Sequence, residues 1–417
     1  MLIMFKVKNY TSFKEDTILD LRATSYSQHP SHVIEINEKL ALLKTNVIYG
    51  ANASGKSNLI SAMFFFEDYI FSQFISKKEN KNLDEVVTPK FTLDPFLLSE
   101  EISKASEFDI IFFRNGKEIQ YGFECTKEKV LKEWFYINNK IVYERIGLTL
   151  QFGSKYKNIL ESYDKFPSER LYLSVLDYFL DEVDKELILK DFINFFSEEF
   201  NVFLEIHFEA SIKAVAGSYM VSKRLIEDKR YREKVVKYLK NIDIGIDNLD
   251  VQTEVTINKK TGSEETEKIL KTVHNVYDDS GKVIQKKFFD LKQESSGTLR
   301  FLSYIQNIIE MIEQGGVFIV DEMSARLHPL LTKFIVDLFQ ATSNNKAQLI
   351  FTTHDISLLN RNQFRRDEIV FIDKNKNGES SIYALSDLKI REDSTFNKDY
   401  LHGKFGAIPI FNGEYNE

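Results

Sequence analysis

One cysteine in 417 residues, Cys125, excludes an internal disulfide and a cysteine-rich zinc site. It reads as a small buried apolar side chain. No apolar run approaches the roughly 20 residues that a membrane-crossing helix needs. The opening Met1-Leu2-Ile3-Met4-Phe5 is too short for the apolar region of a secretion signal and runs at once into polar sequence. The expectation is a soluble, cytoplasmic chain without a membrane partner. Six prolines and 17 glycines form no Pro-rich or collagen-like tract, and there is no Gln/Asn-rich stretch or internal repeat. Positive charge is not in excess: 55 Lys and Arg stand against 63 Asp and Glu, a formal net charge of −8. That argues against a generally basic nucleic-acid binder and leaves open only a local basic face.

What is present is an apolar fraction of 43%, with 35 Phe and 19 Tyr, enough for a sizeable core. The length suits two or three ordinary domains, or one large α/β unit with an insertion. The most informative segment is Gly50-Ala51-Asn52-Ala53-Ser54-Gly55-Lys56-Ser57, a complete G-x-x-x-x-G-K-S pattern. It follows the β-rich Val47-Ile48-Tyr49 and precedes a helical apolar pattern at Leu59, Ile60, Met63, Phe64 and Phe65. Glycine lets such a loop curl so that successive N–H groups converge on phosphate oxygens. Lys56 adds a cation for the outer phosphates, and Ser57 a hydroxyl for Mg²⁺. The helix that begins there turns its positive end to the same anion.

Coarser patterning places the other elements. Alternation at residues 3–7 and 17–21 predicts two early strands. Lys77-Lys78-Glu79-Asn80-Lys81-Asn82 reads as a charged loop. Residues 108–113 and 119–123, joined through Asn115-Gly116, predict a hairpin, and residues 134–137 and 141–143, joined by Asn138-Asn139, a second. Residues 168–241 turn helical, residues 250–256 and 269–291 return to strands, and from Ser295 onward helix and strand alternate, which implies a parallel sheet with covering helices. The expected division is a lobe at 1–150 with the phosphate loop and hairpins, a helical and β insertion at 151–285, and a second lobe at 286–417.

Three further segments complete the pattern. Val317-Phe318-Ile319-Val320-Asp321-Glu322 is an apolar strand ending in two acids, where ligands bind in α/β sheets. Asp321 would hold Mg²⁺ and Glu322 would act as general base. A second apolar strand ends at Thr352-Thr353-His354, and His354 would reach the γ-phosphate or the attacking water. Glu294-Ser295-Ser296-Gly297-Thr298 precedes an apolar helical face, with Ser295 as N-cap. A helix N-terminus bearing Ser295 and Gly297 is a second anion site. One nucleotide cannot obviously use both anion sites, so a dimer is expected, each copy capping the nucleotide of the other.

The order phosphate loop, Ser-x-Gly signature, acid pair and switch histidine resembles ABC-type ATPase heads of the RecF, SMC and OLD kind. It is most similar to the compact ATPases of bacterial anti-phage and abortive-infection defence. Residues 52–59, 294–298, 327–331 and 400–409 carry that likeness. The resemblance implies an α/β ABC-type head, with a β-rich N-terminal lobe, a parallel-sheet core and a helical insertion. It also implies ATP and Mg²⁺, with binding residues Gly50, Asn52, Ala53, Ser54, Gly55, Lys56, Ser57, Asn58, Ser295 and Gly297, metal ligands Ser57 and Asp321, and catalytic Glu322 and His354. The signature has Ser296 where transporters have glycine. Arg326, at the D-loop position, reads equally as a residue reaching a partner's nucleotide or as a surface arginine. No glutamine lies in residues 168–175, where a Q-loop would fall. The chain reaches Glu417 without room for a TOPRIM nuclease, so the expected partners are a second copy, a separately encoded effector nuclease and a phage-encoded trigger. The rival reading is a RecF-like DNA-binding repair clamp or an ATP-dependent scaffold, kept open by Lys223-Arg224 and Lys229-Arg230-Tyr231-Arg232.

Overall fold

The computed structural model describes residues 1–74, 92–100, 102, 104–205, 221–240, 245–257, 264–390 and 395–409. The charged loop at 77–82 lies outside them. The strands are, in chain order, β1 (Leu2–Lys8), β2 (Thr17–Asp20), β3 (Val33–Asn37), β4 (Leu40–Leu43), β5 (Thr45–Tyr49) and β6 (Ser106–Arg114). Then come β7 (Lys117–Cys125), β8 (Val130–Ile137), β9 (Lys140–Ile146), β10 (Thr149–Phe152), β11 (Phe200–Phe203) and β12 (Ile246–Ile257). The last are β13 (Glu264–Tyr277), β14 (Val283–Asp290), β15 (Gly316–Val320), β16 (Ala347–Thr352), β17 (Ile369–Lys374) and β18 (Ser380–Ala384). The chain divides into two compact units, one of Met1–Val202, Gln314–Met323 and Val336–Glu417, the other of Phe203–Glu313 and Ser324–Ile335.

The first unit holds two large sheets. One runs β10-β9-β8-β7-β6-β1-β2, with antiparallel neighbours throughout. Both hairpins read from the sequence are here, at β6–β7 and β8–β9, and Asn115, Asn138 and Asn139 take the positive φ their turns require. Phe108, Ile110, Phe112, Tyr121 and Phe123 are buried on this sheet. The helix Lys56–Gln73 lays Phe65, Phe66 and Tyr69 against them; Phe66 stacks on Phe123 at 5.4 Å and meets Phe5 edge-on at 5.9 Å. Such pairs add roughly 0.5–1.5 kcal/mol each beyond area burial, and they anchor the helix that begins at Lys56. Cys125 is buried with its thiol pushed up to about 12 by burial, an inert apolar side chain as expected.

One buried carboxylate ties later chain to this sheet. Glu133 accepts from Tyr121 (2.9 Å) and Tyr143 (2.7 Å), from the backbone N–H of Tyr172 (2.6 Å) and Leu173 (2.9 Å), and pairs with buried Arg145. It therefore sits at the N-terminus of the helix Tyr172–Phe179, where a negative charge is favoured.

The other sheet runs β11-β15-β16-β5-β17-β18. Strands β15, β16, β5 and β17 are mutually parallel, and β18 returns antiparallel to β17. Every residue of β5, β15 and β16 is buried, the mark of parallel strands covered on both faces. Gln348 fastens the sheet to the N-terminal strand by bonds to Leu2 N and O.

Two expectations need correction. The stretch 168–241 is not continuously helical: the described helices are short, and Phe200–Phe203 forms β11 on the edge of the core sheet. Pairing with a sheet edge overrides the local periodicity of the phenylalanines before it. The helix–strand alternation after Ser295 also stops at Thr352. Residues 353–368 hold turns instead, because Asp355 and Asn360 bond their own backbone neighbours and Arg365 donates to the carbonyls of Thr24, Tyr26 and Gln28. Such side chain–backbone bonds compete with helix formation.

The second unit contains the antiparallel sheet β12-β13-β14 and the helices Lys223–Glu227, Lys229–Lys240 and Ser296–Gln314. Phe301, Leu302, Ile305, Ile308 and Ile309 are buried, the apolar face expected of the last helix. Among the described residues, no helix is long and apolar enough to cross a membrane.

Candidate functional site

The ends of β5, β15 and β16 supply the site. Because these strands are parallel and adjacent, their C-terminal ends emerge on one side, the ligand-binding side of an α/β sheet. β5 leads into residues 50–55 and then into the helix Lys56–Gln73. Gly55 stands at the N-cap with φ +116°, a left-handed geometry that glycine alone adopts cheaply. A Cβ there would also lie 2.6 Å from Ser380 Oγ and 2.8 Å from Ser12 Oγ. These two serines bond each other at 2.8 Å, Ser380 donates to Ser54 O at 2.5 Å, and Asn58 donates to Ser12 at 2.7 Å. The loop is thus held from behind by β18 and the β1–β2 turn.

The first bond of the helix is Leu59 N–H to Gly55 O, 3.1 Å. The amides of Lys56, Ser57 and Asn58 precede it, and Gly55 has no side chain with which to cap them. They are the donors an anion would receive. Lys56 is buried and donates to Gly50 O (2.9 Å) and Ala51 O (3.0 Å). Burial lowers its ammonium to about 8, opposed by the nearby Glu322 and Asp321 carboxylates.

A line of hydrogen bonds joins the loop to the acid pair. Ser57 Oγ donates to Asp321 Oδ1 at 3.1 Å, and Thr352 Oγ1 donates to the same oxygen at 2.7 Å. Thr352 Oγ1 in turn accepts from the Glu322 N–H at 2.7 Å. Glu322 has φ +50°, a conformation that costs a non-glycine residue roughly 1–2 kcal/mol. A cavity of about 470 Å³ opens here, lined by Asn52, Ala53, Gly55, Lys56, Ser57, Asn58, Glu322, His354 and Lys374. His354 is held below its usual range, chiefly by burial and then by the Lys56 charge, against the pull of Asp321. It is therefore neutral near pH 7.

Of the residues singled out in the sequence, the structure brings eight to this cavity wall or its first contacts: Asn52, Ala53, Gly55, Lys56, Ser57, Asn58, Glu322 and His354. Asp321 stands behind Ser57, and Gly50 meets Lys56 through its carbonyl. Ser54 is turned inward, its hydroxyl buried and away from the cavity lining. Ser295 and Gly297 belong to the second unit. There Ser295 Oγ accepts from Thr298 N at 3.1 Å, so the predicted N-cap is formed. A Cβ on Gly297 would lie 3.0 Å from Arg326 O, a tight contact that glycine avoids. Glu294 is bonded by Thr272 and by His274 Nε2, the latter at 2.7 Å.

Sequence reading missed Lys374, Ser12 and Ser380, for which no local signal exists. It also passed over Thr352, whose signal was its place in the polar end of an apolar strand. Among the described residues, no glutamine lines the cavity.

The family model described as "AAA domain, putative AbiEii toxin, Type IV TA system" matches residues 45–360, which span β5, the loop, the acid pair and His354. The chain belongs to this AAA family. The matched region begins at the first residue of β5 and ends just past the polar end of β16. No curated protein matches the chain. Among solved structures, the chain is similar to an SMC head bound to the C-winged helix domain of ScpA, at 14% identity over 92% of this chain and 97% of that one, TM-score 0.43. It is similar also to the SMC head domain from Thermotoga maritima, at 14% identity over 93% and 99%, TM-score 0.40. A third is an SMC head with an extended coiled coil bound to the C-terminal domain of ScpA, from Pyrococcus furiosus, at 13% identity over 97% and 98%, TM-score 0.37.

The donor set suits Mg²⁺ with a nucleotide. Ser57 and Asp321 offer one hydroxyl and one carboxylate side by side, and Mg²⁺ commonly takes one or two protein oxygens alongside phosphates and water. Among the described residues no cluster of three or more His, Cys, Asp or Glu could cage a metal by itself.

Proposed function

We propose that this AAA protein binds and hydrolyses ATP, dimerises around two ATP–Mg²⁺, and controls a separately encoded effector nuclease in anti-phage defence. The observation that carries the ATPase reading is the hydrogen-bond line Ser57–Asp321–Thr352–Glu322 beside Lys56 and His354. In this reading the amides of residues 56–58 and Lys56 hold the β- and γ-phosphates. Ser57 and Asp321 hold Mg²⁺, which when bound would neutralise phosphate charge. Water attacks the γ-phosphorus, Glu322 takes the water proton, and the bond to the bridging oxygen breaks to release ADP. His354 donates a ring N–H to a γ-phosphate oxygen.

The Ser-x-Gly order at Ser295 and Gly297, which carries the resemblance to ABC-type heads, supports the dimer. With Mg²⁺-ATP and the slow variant Glu322→Gln, light scattering should report a doubled mass. Ser295→Arg should abolish the doubling while leaving ATP binding intact. A monomer under saturating ATP would sink the sandwich.

A pH dependence follows from Lys56. Its ammonium titrates at about 8 in the free protein, and bound phosphates must raise that value. Affinity for ATP should be flat up to pH 8, then fall by up to about tenfold per pH unit until the bound-state value is passed. A fluorescent-nucleotide titration from pH 6.5 to 9.5 measures this; flat affinity throughout contradicts a Lys56–phosphate contact.

The resemblance to OLD-like ATPases, and the family's description as a putative toxin of a Type IV TA system, support a role beside a second protein. Pull-down from the native host tests it: a stoichiometric nuclease is expected, and recovery of the chain alone argues against an effector. The DNA-clamp alternative gains little. Of the basic helix Lys229–Lys240, Lys234 is paired with Glu313, Lys240 with Asp247, and Arg232 donates to the carbonyls of Leu225 and Ile226.

A further inference from the structure

We infer that Thr352 is a positioning residue that sets both members of the acid pair through one hydroxyl. This rests on the ATPase reading above. A threonine hydroxyl has one proton and two lone pairs. An ionised carboxylate can only accept and a backbone N–H can only donate. The Thr352 proton therefore goes to Asp321 Oδ1 (2.7 Å), and a lone pair meets the Glu322 amide (2.7 Å). The hydroxyl is locked in one orientation, and Thr352 is fully buried.

The backbone of Thr352 does the same work one residue further on, its carbonyl accepting from Met323 N at 3.0 Å. Parallel registry puts Phe351 opposite Val320, so Thr352 lies opposite Asp321 at the point where β15 ends. The chain reverses into φ +50° at Glu322 directly afterwards. The bond to the Glu322 amide holds that residue in the left-handed region it would otherwise leave. The same hydroxyl fixes the Asp321 oxygen that faces Ser57. One side chain on the neighbouring strand thus couples the candidate metal ligands to the candidate base. Thr352 is buried and does not line the cavity, so it acts through its neighbours.

The variants are Thr352→Val, which keeps shape and β-branching and removes the hydroxyl, and Thr352→Ser, which keeps the hydroxyl. Phosphate release gives kcat and KM, and a fluorescent ATP analogue gives Kd with and without Mg²⁺. For Thr352→Val we expect kcat to fall about 10²-fold, the scale of a 1 Å misplacement. Its Kd without Mg²⁺ should match the wild type, and the tightening that Mg²⁺ brings should shrink. Thr352→Ser should recover most of the loss. Wild-type kcat in Thr352→Val, or equal defects in both variants, overturns the proposal. If the wild type releases no phosphate, the ATPase reading fails, and the Mg²⁺ dependence of Kd still decides on Thr352: lost in Thr352→Val supports it, retained overturns it. If Thr352→Val does not fold, hydrogen exchange at the Glu322 amide of the nucleotide-free wild type decides. Protection is expected; exchange at the rate of an open loop overturns the inference.

Discussion

Glu322→Gln should bind ATP like the wild type and hydrolyse it roughly 10²- to 10⁴-fold more slowly, the usual share of general-base catalysis. Glutamine keeps the volume and the backbone bond to Thr352, so the cavity and the φ +50° conformation survive. What disappears is the carboxylate that can take a proton from water. The carboxylate also lies close enough to Lys56 to raise the lysine's proton affinity, so its loss should leave the ammonium titrating somewhat lower. Single-turnover phosphate release measures the rate and a fluorescent nucleotide measures the affinity. Turnover at the wild-type rate would remove Glu322 from the chemistry and leave His354 as the candidate to test next.

Lys56→Ala should weaken ATP binding by about 1.5–3 kcal/mol, the range for a hydrogen bond to a charged group, or roughly 10- to 150-fold in Kd. The same change should not destabilise the fold. Burial lowers the Lys56 ammonium from its ordinary value to about 8. The folded state therefore holds this proton less tightly than the unfolded chain does. The resulting penalty is fully present below pH 8 and disappears as pH rises toward the ordinary lysine range. Alanine removes that penalty at neutral pH, at the loss of two bonds to the carbonyls of Gly50 and Ala51. Thermal unfolding without nucleotide should thus change little, while the stabilisation that excess ATP confers should shrink by the same roughly 1.5–3 kcal/mol. Unchanged ATP affinity in a folded Lys56→Ala protein would refute the phosphate-loop role.

Much of the site was legible because its signals are local. Residues 50–57 carry a loop whose conformation glycine permits and whose following helix is apolar on one face. The acid pair and His354 each close an apolar strand. Ser295 caps its helix because a hydroxyl three residues before an amide can reach it. The hairpins announced themselves through asparagines that tolerate positive φ. By contrast, the hold on Gly55 by Ser12 and Ser380 joins residues more than 40 and 320 positions away in the chain, and nothing local marks them. Lys374 enters the cavity only because β17 pairs with β5. Glu133 reads as one acid among many until five donors converge on it in the core.

Taken alone, the sequence determined the phosphate-loop pattern, the α/β type and the order of the chemical groups, because these depend on residue types at short spacing. The tertiary structure decided which strands stand side by side. Parallel pairing of β15, β16 and β5 put Ser57, Asp321, Thr352 and Glu322 within hydrogen-bond reach. Strand registry is a property of long-range packing, and no spacing along the chain encodes the single hydroxyl that links the two acids.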